Sequence, residues 1–112
     1  MIKCNGKKIC SRVKYFHSVF AKAIGLMFHF RSPDTGYVFV FDSMKEPFSI
    51  SIHNFFVFFP IDVVYLDSSR RVVDVVHSFR PFTPLYVPKK SAQYIIEFPF
   101  HVDVKTGDMI SF

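Results

Sequence analysis

The amino-acid sequence predicts a mainly β protein, a compact β-sandwich or barrel-like domain of seven to eight short strands with one short α-helix. Three observations predict it. Half of the 112 residues are hydrophobic and 16 are Phe, which supplies core material and the aromatic and branched types that favour strands. Short apolar runs are separated by turn chemistry along the whole chain. A single segment carries both a helix start and a helix stop signal. A chain of this length folds as one domain, residues 1–112, around one core that buries roughly two thirds of the unfolded surface.

The elements follow in order. Asn5-Gly6 lies between two short β-like runs and signals a two-residue hairpin, whose favoured turn needs positive φ at both positions. That register sets Cys4 opposite Lys7 and Cys10 opposite Met1. "KICSRVKYF" reads as the next strand. Ser18 caps a helix of about two turns through "VFAKAI" that stops at Gly25, because glycine adopts the left-handed conformation that closes a helix. "SPDTG" is turn chemistry and "YVFVFD" a strand. After the break at "KEP", Phe48, Ile50 and Ile52 alternate with Ser49, Ser51 and His53, a half-buried strand with His53 on its polar face.

The greasiest stretch, "HNFFVFFPIDVVYLD", divides at Pro60, which lacks an N–H and so marks a bend or a strand start. Before it, Phe55, Val57 and Phe59 face one way and Phe56 and Phe58 the other, as in a segment enclosed between layers. "IDVVYLD" is the following strand, "SSRR" its turn and "VVDVVHSF" its hairpin partner. "RPFTPLYVP" is an extended, proline-rich loop, "AQYIIEFPF" a further strand, and "VKTGDMISF" a turn feeding a terminal one.

This run is too short and too interrupted to span the roughly 20 residues a membrane helix needs, and the lysine-bearing opening has no apolar signal core. The expectation is a soluble, cytoplasmic protein without a membrane partner. Cys4 and Cys10 fit that compartment as free thiols, since a disulfide between them would break the hairpin. Seven basic residues, Lys3, Lys7, Lys8, Arg12, Lys14, Lys22 and Arg31, precede the first acidic one, Asp34. This basic N-terminal third could attract an anionic partner such as nucleic acid, although dispersed lysines are more often a solvated face.

In combination, "AKAIGLMF", "GYVFVFD", "FVFFPIDVVYLD", "RRVVDVV", "YIIEFPF" and "TGDMI" resemble the domain-of-unknown-function 192 family, in order and spacing from Arg12 to Phe112. The His-then-Phe-Val-x-Phe-Pro-Ile-Asp form is similar to its archaeal branch. The common bacterial pattern carries Met-Lys-Asn-Thr where this chain has Asn54, Phe55, Phe56 and Val57. The resemblance implies a mainly β fold with one helix and implies no activity, because the family has no established biochemical function.

Three polar residues are candidates for ligand binding: His53, Asp62 and Glu97. Asp62 shares its strand face with Val64 and Leu66, and an acid in apolar company needs a partner. Its structural role would be to accept backbone N–H groups beside Pro60 or to pair with an arginine; its functional role would be an acid of raised pKa in a pocket. Glu97 lies on the Ile95 side of its strand, and two carboxylates that converge on one cleft could work as acid and base. Asp67 and Asp108 adjoin turn residues and are expected to stabilise turns.

His17, His29, His53, His77 and His101 show no i,i+2 or i,i+4 spacing, which disfavours a local metal motif. No phosphate loop, nucleophile elbow or Cys-His constellation is present, so no catalytic residue, metal or cofactor is assigned. The expected function is a non-catalytic ligand- or partner-binding module. The alternatives are an enzyme using the carboxylates as acid and base, and weak nucleic-acid binding through the basic third.

Overall fold

A computed structural model describes residues 1–16, 34–47, 61–79 and 87–112. Eight strands are found there: β1 (Ile2–Cys4), β2 (Lys7–Cys10), β3 (Arg12–Phe16), β4 (Thr35–Lys45), β5 (Ile61–Leu66), β6 (Val72–Phe79), β7 (Ala92–Phe98) and β8 (Ile110–Ser111). They form a three-stranded sheet ordered β2-β1-β8 and a five-stranded sheet ordered β3-β4-β7-β5-β6. The mainly β expectation is met. The helix expected between Ser18 and Gly25, the strand carrying His53 and the bend at Pro60 lie outside the described residues.

The first hairpin forms because Asn5 and Gly6 take φ values of 51° and 83°, the left-handed pair its turn requires. Cys4 pairs with Lys7 as the register predicts, but Cys10 pairs with Ile2, not with Met1, because a bulge between Ile2 and Lys3 shifts the ladder. The single strand expected over "KICSRVKYF" is two. The chain breaks at Ser11, whose N–H donates to Asp34 Oδ1 at 2.9 Å, while the Arg12 N–H donates to the Asp34 carbonyl at 2.9 Å. This anchor passes the chain from the small sheet to the large one. β3 and β4 run parallel, with Arg12 opposite Thr35 and Phe16 opposite Phe39.

The inner face of the large sheet packs on the small sheet. Val38, Val64, Leu66, Val72, Ile96 and Phe98 meet Ile2, Cys4, Cys10 and Ile110, with Val102 and Val104 completing this core. Gly36 is the point of closest approach: a Cβ there would collide with the Ile2 side chain and lie 3.2 Å from Phe98 Cε1 and 3.3 Å from Cys10 Sγ. The opposite face of the large sheet carries a second buried cluster, with Tyr37, Phe39, Ile61, Val63, Tyr65, Ala92 and Ile95. All six residues of β5 are accordingly buried, as its unbroken apolar run with one acid foretells.

Both cysteines are buried free thiols. Burial, with an added push from Asp108, raises the Cys4 thiol to about 11, as expected of a thiol packed into a core. The turns use the expected acids. Asp67 Oδ1 accepts the N–H groups of Ser69 and Arg71 at 2.9 and 3.0 Å. Asp108 accepts the Lys105 N–H at 3.0 Å and the Asn5 amide at 3.1 Å, and these bonds hold its carboxyl below the usual range.

Candidate functional site

Asp62 is the second residue of β5 and is 2% exposed, on the face that builds the inter-sheet core. Its carboxylate stays there because the chain delivers donors to it. Oδ1 accepts the Ser78 N–H at 2.8 Å, and Oδ2 accepts the Val102 N–H at 2.9 Å. The first bond depends on an irregularity. The β5–β6 register shifts between Ile61 and Val63, and Ser78 takes φ of 53°, so His77 and Ser78 both stand against Asp62. A bulge of this kind re-aims a side chain and frees a backbone donor. Among the described residues, the groups that reach Asp62 include these two backbone N–H donors and no arginine.

The same bulge turns the His77 ring toward the carboxylate, with Nδ1 2.9 Å from Asp62 Oδ2. Its Nε2 lies 3.1 Å from the Val104 carbonyl. Beyond β7, the buried Pro99 withholds a ladder donor, and the chain turns back so that Val102 and Val104 enter the core while His101 stays outside. His101 Nδ1 lies 3.1 Å from the same Asp62 Oδ2, with its side chain 70% exposed. The two rings are tilted at 47° with centroids 5.3 Å apart. Asp62 and His77 thus pin residues 101–104, and that segment carries His101 back over the acid.

The hydrogen-bond inventory at this point is unusual. Oδ2 faces three nitrogens, Val102 N and the Nδ1 atoms of His77 and His101, although a carboxylate oxygen offers two lone pairs. Both nitrogens of His77 face acceptor-only atoms, a carboxylate and a carbonyl. A neutral imidazole has one N–H, so with Nε2–H directed at the Val104 carbonyl the Nδ1 lone pair faces Asp62 Oδ2, an arrangement that a cation between the two atoms would satisfy. Asp62, His77 and His101 each offer a ligand atom, all within 4.8 Å of one another. Local histidine spacing, which disfavoured a metal, could not reveal this arrangement.

Glu97 is elsewhere. Asp62 pairs with Phe98 and Glu97 with Val63, and alternation puts Glu97 on the outer face beside Ile95, flanked across the sheet by Tyr37 and Val63. The two carboxylates do not share a cleft. Desolvation among these neighbours pushes Glu97 up to about 7. His53 lies outside the described residues. Arg12, Lys14 and Tyr15 are exposed on β3, at the edge of the large sheet, whereas Phe16 stacks on Phe39 with centroids 5.0 Å apart. Sequence reasoning missed His77 and His101. The usable signal was the buried acid's need for a partner, combined with a hairpin that brings "VVHS" back along "IDVV".

The model of the domain-of-unknown-function 192 family, described as "Uncharacterized ACR, COG1430", matches residues 1–112. A UPF0127 protein of Thermococcus sibiricus is 41% identical over 113 residues, covering 96% of this chain and 70% of the relative. A UPF0127 protein of Pyrococcus abyssi is 36% identical over 103 residues, covering 88% of this chain and 84% of the relative. Among solved structures, a Sinorhizobium meliloti protein described as a candidate transcription regulator superposes with a TM-score of 0.77 at 17% identity, covering 88% of this chain and 79% of that one. At that identity the likeness is one of fold. Among the described residues, no helix is long and apolar enough to cross a membrane.

Proposed function

The chain belongs to the domain-of-unknown-function 192 family, and we propose that it is a non-catalytic ligand-binding module of the cytoplasm whose site is the Asp62–His77–His101 cluster. One observation carries this reading: a fully enclosed carboxylate presents two imidazoles to solvent, the His77 side chain 42% and the His101 side chain 70% exposed. A purely structural acid is satisfied by the Ser78 and Val102 N–H groups, so the exposed His101 ring is surplus to burial and available to a ligand, beside a His77 ring that Val104 holds in place. The acid/base alternative loses its support, because Glu97 faces the other side of the sheet. Buried free thiols favour a reducing compartment.

The test is a thermal-shift screen of anions, cations and small metabolites against the parent and His101→Ala, since a native-state ligand raises the apparent stability. At least one compound should stabilise the parent and not the variant. Stabilisation that is always equal in both would sink the reading.

The β3 edge supports a second reading. Arg12 and Lys14 are exposed there and Tyr15 is 48% exposed, a basic strand with an aromatic face of the kind that meets single-stranded nucleic acid. The description of the Sinorhizobium meliloti protein gives a reason to test it. Binding should be weak and fall steeply with salt, and replacing Arg12 and Lys14 should flatten that slope. A slope unchanged by the replacement would remove this surface from consideration.

A further inference from the structure

The binding reading above leaves the ligand's chemistry open, and the following inference rests on it. We infer that Asp62, His77 and His101 hold one divalent transition-metal cation through a carboxylate oxygen and two imidazole Nδ1 atoms.

Three features converge on a cation and against a neutral or anionic ligand. The first is the donor set. Two imidazoles and one carboxylate suit zinc and its first-row neighbours, and sites with three protein ligands keep coordination positions open for water. Those positions would lie on the side of His101, where solvent reaches the cluster.

The second is the crowding at Oδ2. After the Val102 N–H has taken one lone pair, a single lone pair faces two ring nitrogens at 2.9 and 3.1 Å. A cation placed between all three atoms satisfies them together. Bonds of about 2.0–2.2 Å in a tetrahedral shell put ligand atoms about 3.3–3.6 Å apart, so the two Nδ1–Oδ2 spacings of 2.9 and 3.1 Å would widen by only a few tenths of an ångström, and the three ligand atoms already lie within 4.8 Å of one another. The exposed His101 ring can supply the movement on its own side of the acid.

The third is the surrounding support. Metal-bound imidazoles commonly donate their other N–H to a carbonyl or carboxylate, which fixes the tautomer and directs the remaining lone pair at the metal. His77 does this through Nε2 and the Val104 carbonyl at 3.1 Å. The Asp62 carboxylate is likewise oriented by two backbone N–H groups. An anion placed on the same atoms would meet the Asp62 charge at close range, so electrostatics selects the cation.

The experiment uses untagged, chelator-treated protein titrated calorimetrically with Zn2+, Ni2+ and Co2+, with the melting temperature measured in parallel. The expected result is one site per chain, a rise in melting temperature, and affinity at least about tenfold weaker in His101→Ala, since even outer-shell changes cost about 10–100-fold. His77→Ala should lose binding as well. Because His77 also bonds Val104, its fold is checked by circular dichroism, and His101→Ala carries the conclusion if His77→Ala fails to fold. Metal binding that is equal in the parent and His101→Ala would assign the ion to other histidines and overturn the inference. No binding of any of the three ions would also overturn it. An anion or metabolite that stabilises the parent through His101, with all three cations inert, would overturn the cation while leaving the binding module standing.

Discussion

Asp62 and Glu97 occupy neighbouring positions on the adjacent strands β5 and β7, yet they face opposite sides of one sheet. The same chemical group consequently meets two environments. Asp62 is buried among donors and serves as a tether. Glu97 is half-buried beside Tyr37 and Val63, where desolvation alone governs its proton. The contrast makes the two acids separable by experiment.

Replacing Asp62 by Ala strands the Ser78 and Val102 N–H groups and removes the bonds that hold residues 101–104. The expected cost is on the order of 2–4 kcal/mol, from lost charge-assisted bonds and unsatisfied buried donors. Asp62→Asn should cost about half as much, because its amide oxygen serves one donor while its NH2 opposes the other. Urea midpoints at constant slope measure both variants. A midpoint unchanged by Asp62→Ala would show that the carboxylate is not a tether.

Glu97 predicts a pH dependence of stability. Its folded pKa, about 7, lies above the ordinary value of 4.5, so the native state binds more protons than the unfolded one between those values. Stability from this group is complete below about pH 4.5 and is lost as pH rises toward 7 and beyond, by at most about 3 kcal/mol. Glu97→Gln, which carries no proton to lose, should be less sensitive than the parent over this window. Urea midpoints at pH 5 and pH 8 provide the comparison, and parallel profiles for the two proteins would contradict the assignment.

Gly36→Ala is predicted to overpack the contact between the sheets and to cost about 1–3 kcal/mol. The first obstacle is the Ile2 side chain, through its Cδ1 atom. Ile2→Val deletes that atom, so the alanine should cost less in the Ile2→Val background than in the parent. A double-mutant cycle read by thermal unfolding tests this coupling. Equal costs in both backgrounds would mean that the neighbourhood of Ile2 is not the constraint.

The sequence by itself determined the local features of this protein. Asn5-Gly6 specified its hairpin because both positions need positive φ, a preference written in two residues. The alternation and turn chemistry around Asp67 and Arg71 specified the β5–β6 hairpin, and the apolar neighbours of Asp62 required a partner for it. Only the tertiary structure decided which partner. Unbroken counting back from the Leu66–Val72 pair sets Val76 against Asp62, and register shifts bring His77 and Ser78 there instead. His101 arrives from beyond a third strand because Val102 donates to Asp62 and Val104 accepts from His77. The opposed faces of Asp62 and Glu97 follow from the β5–β7 register, a long-range pairing. Backbone preferences act over a few residues and are legible along the chain; registers, bulges and the convergence of distant side chains are fixed only when the sheets pack and every buried polar group must find its bond.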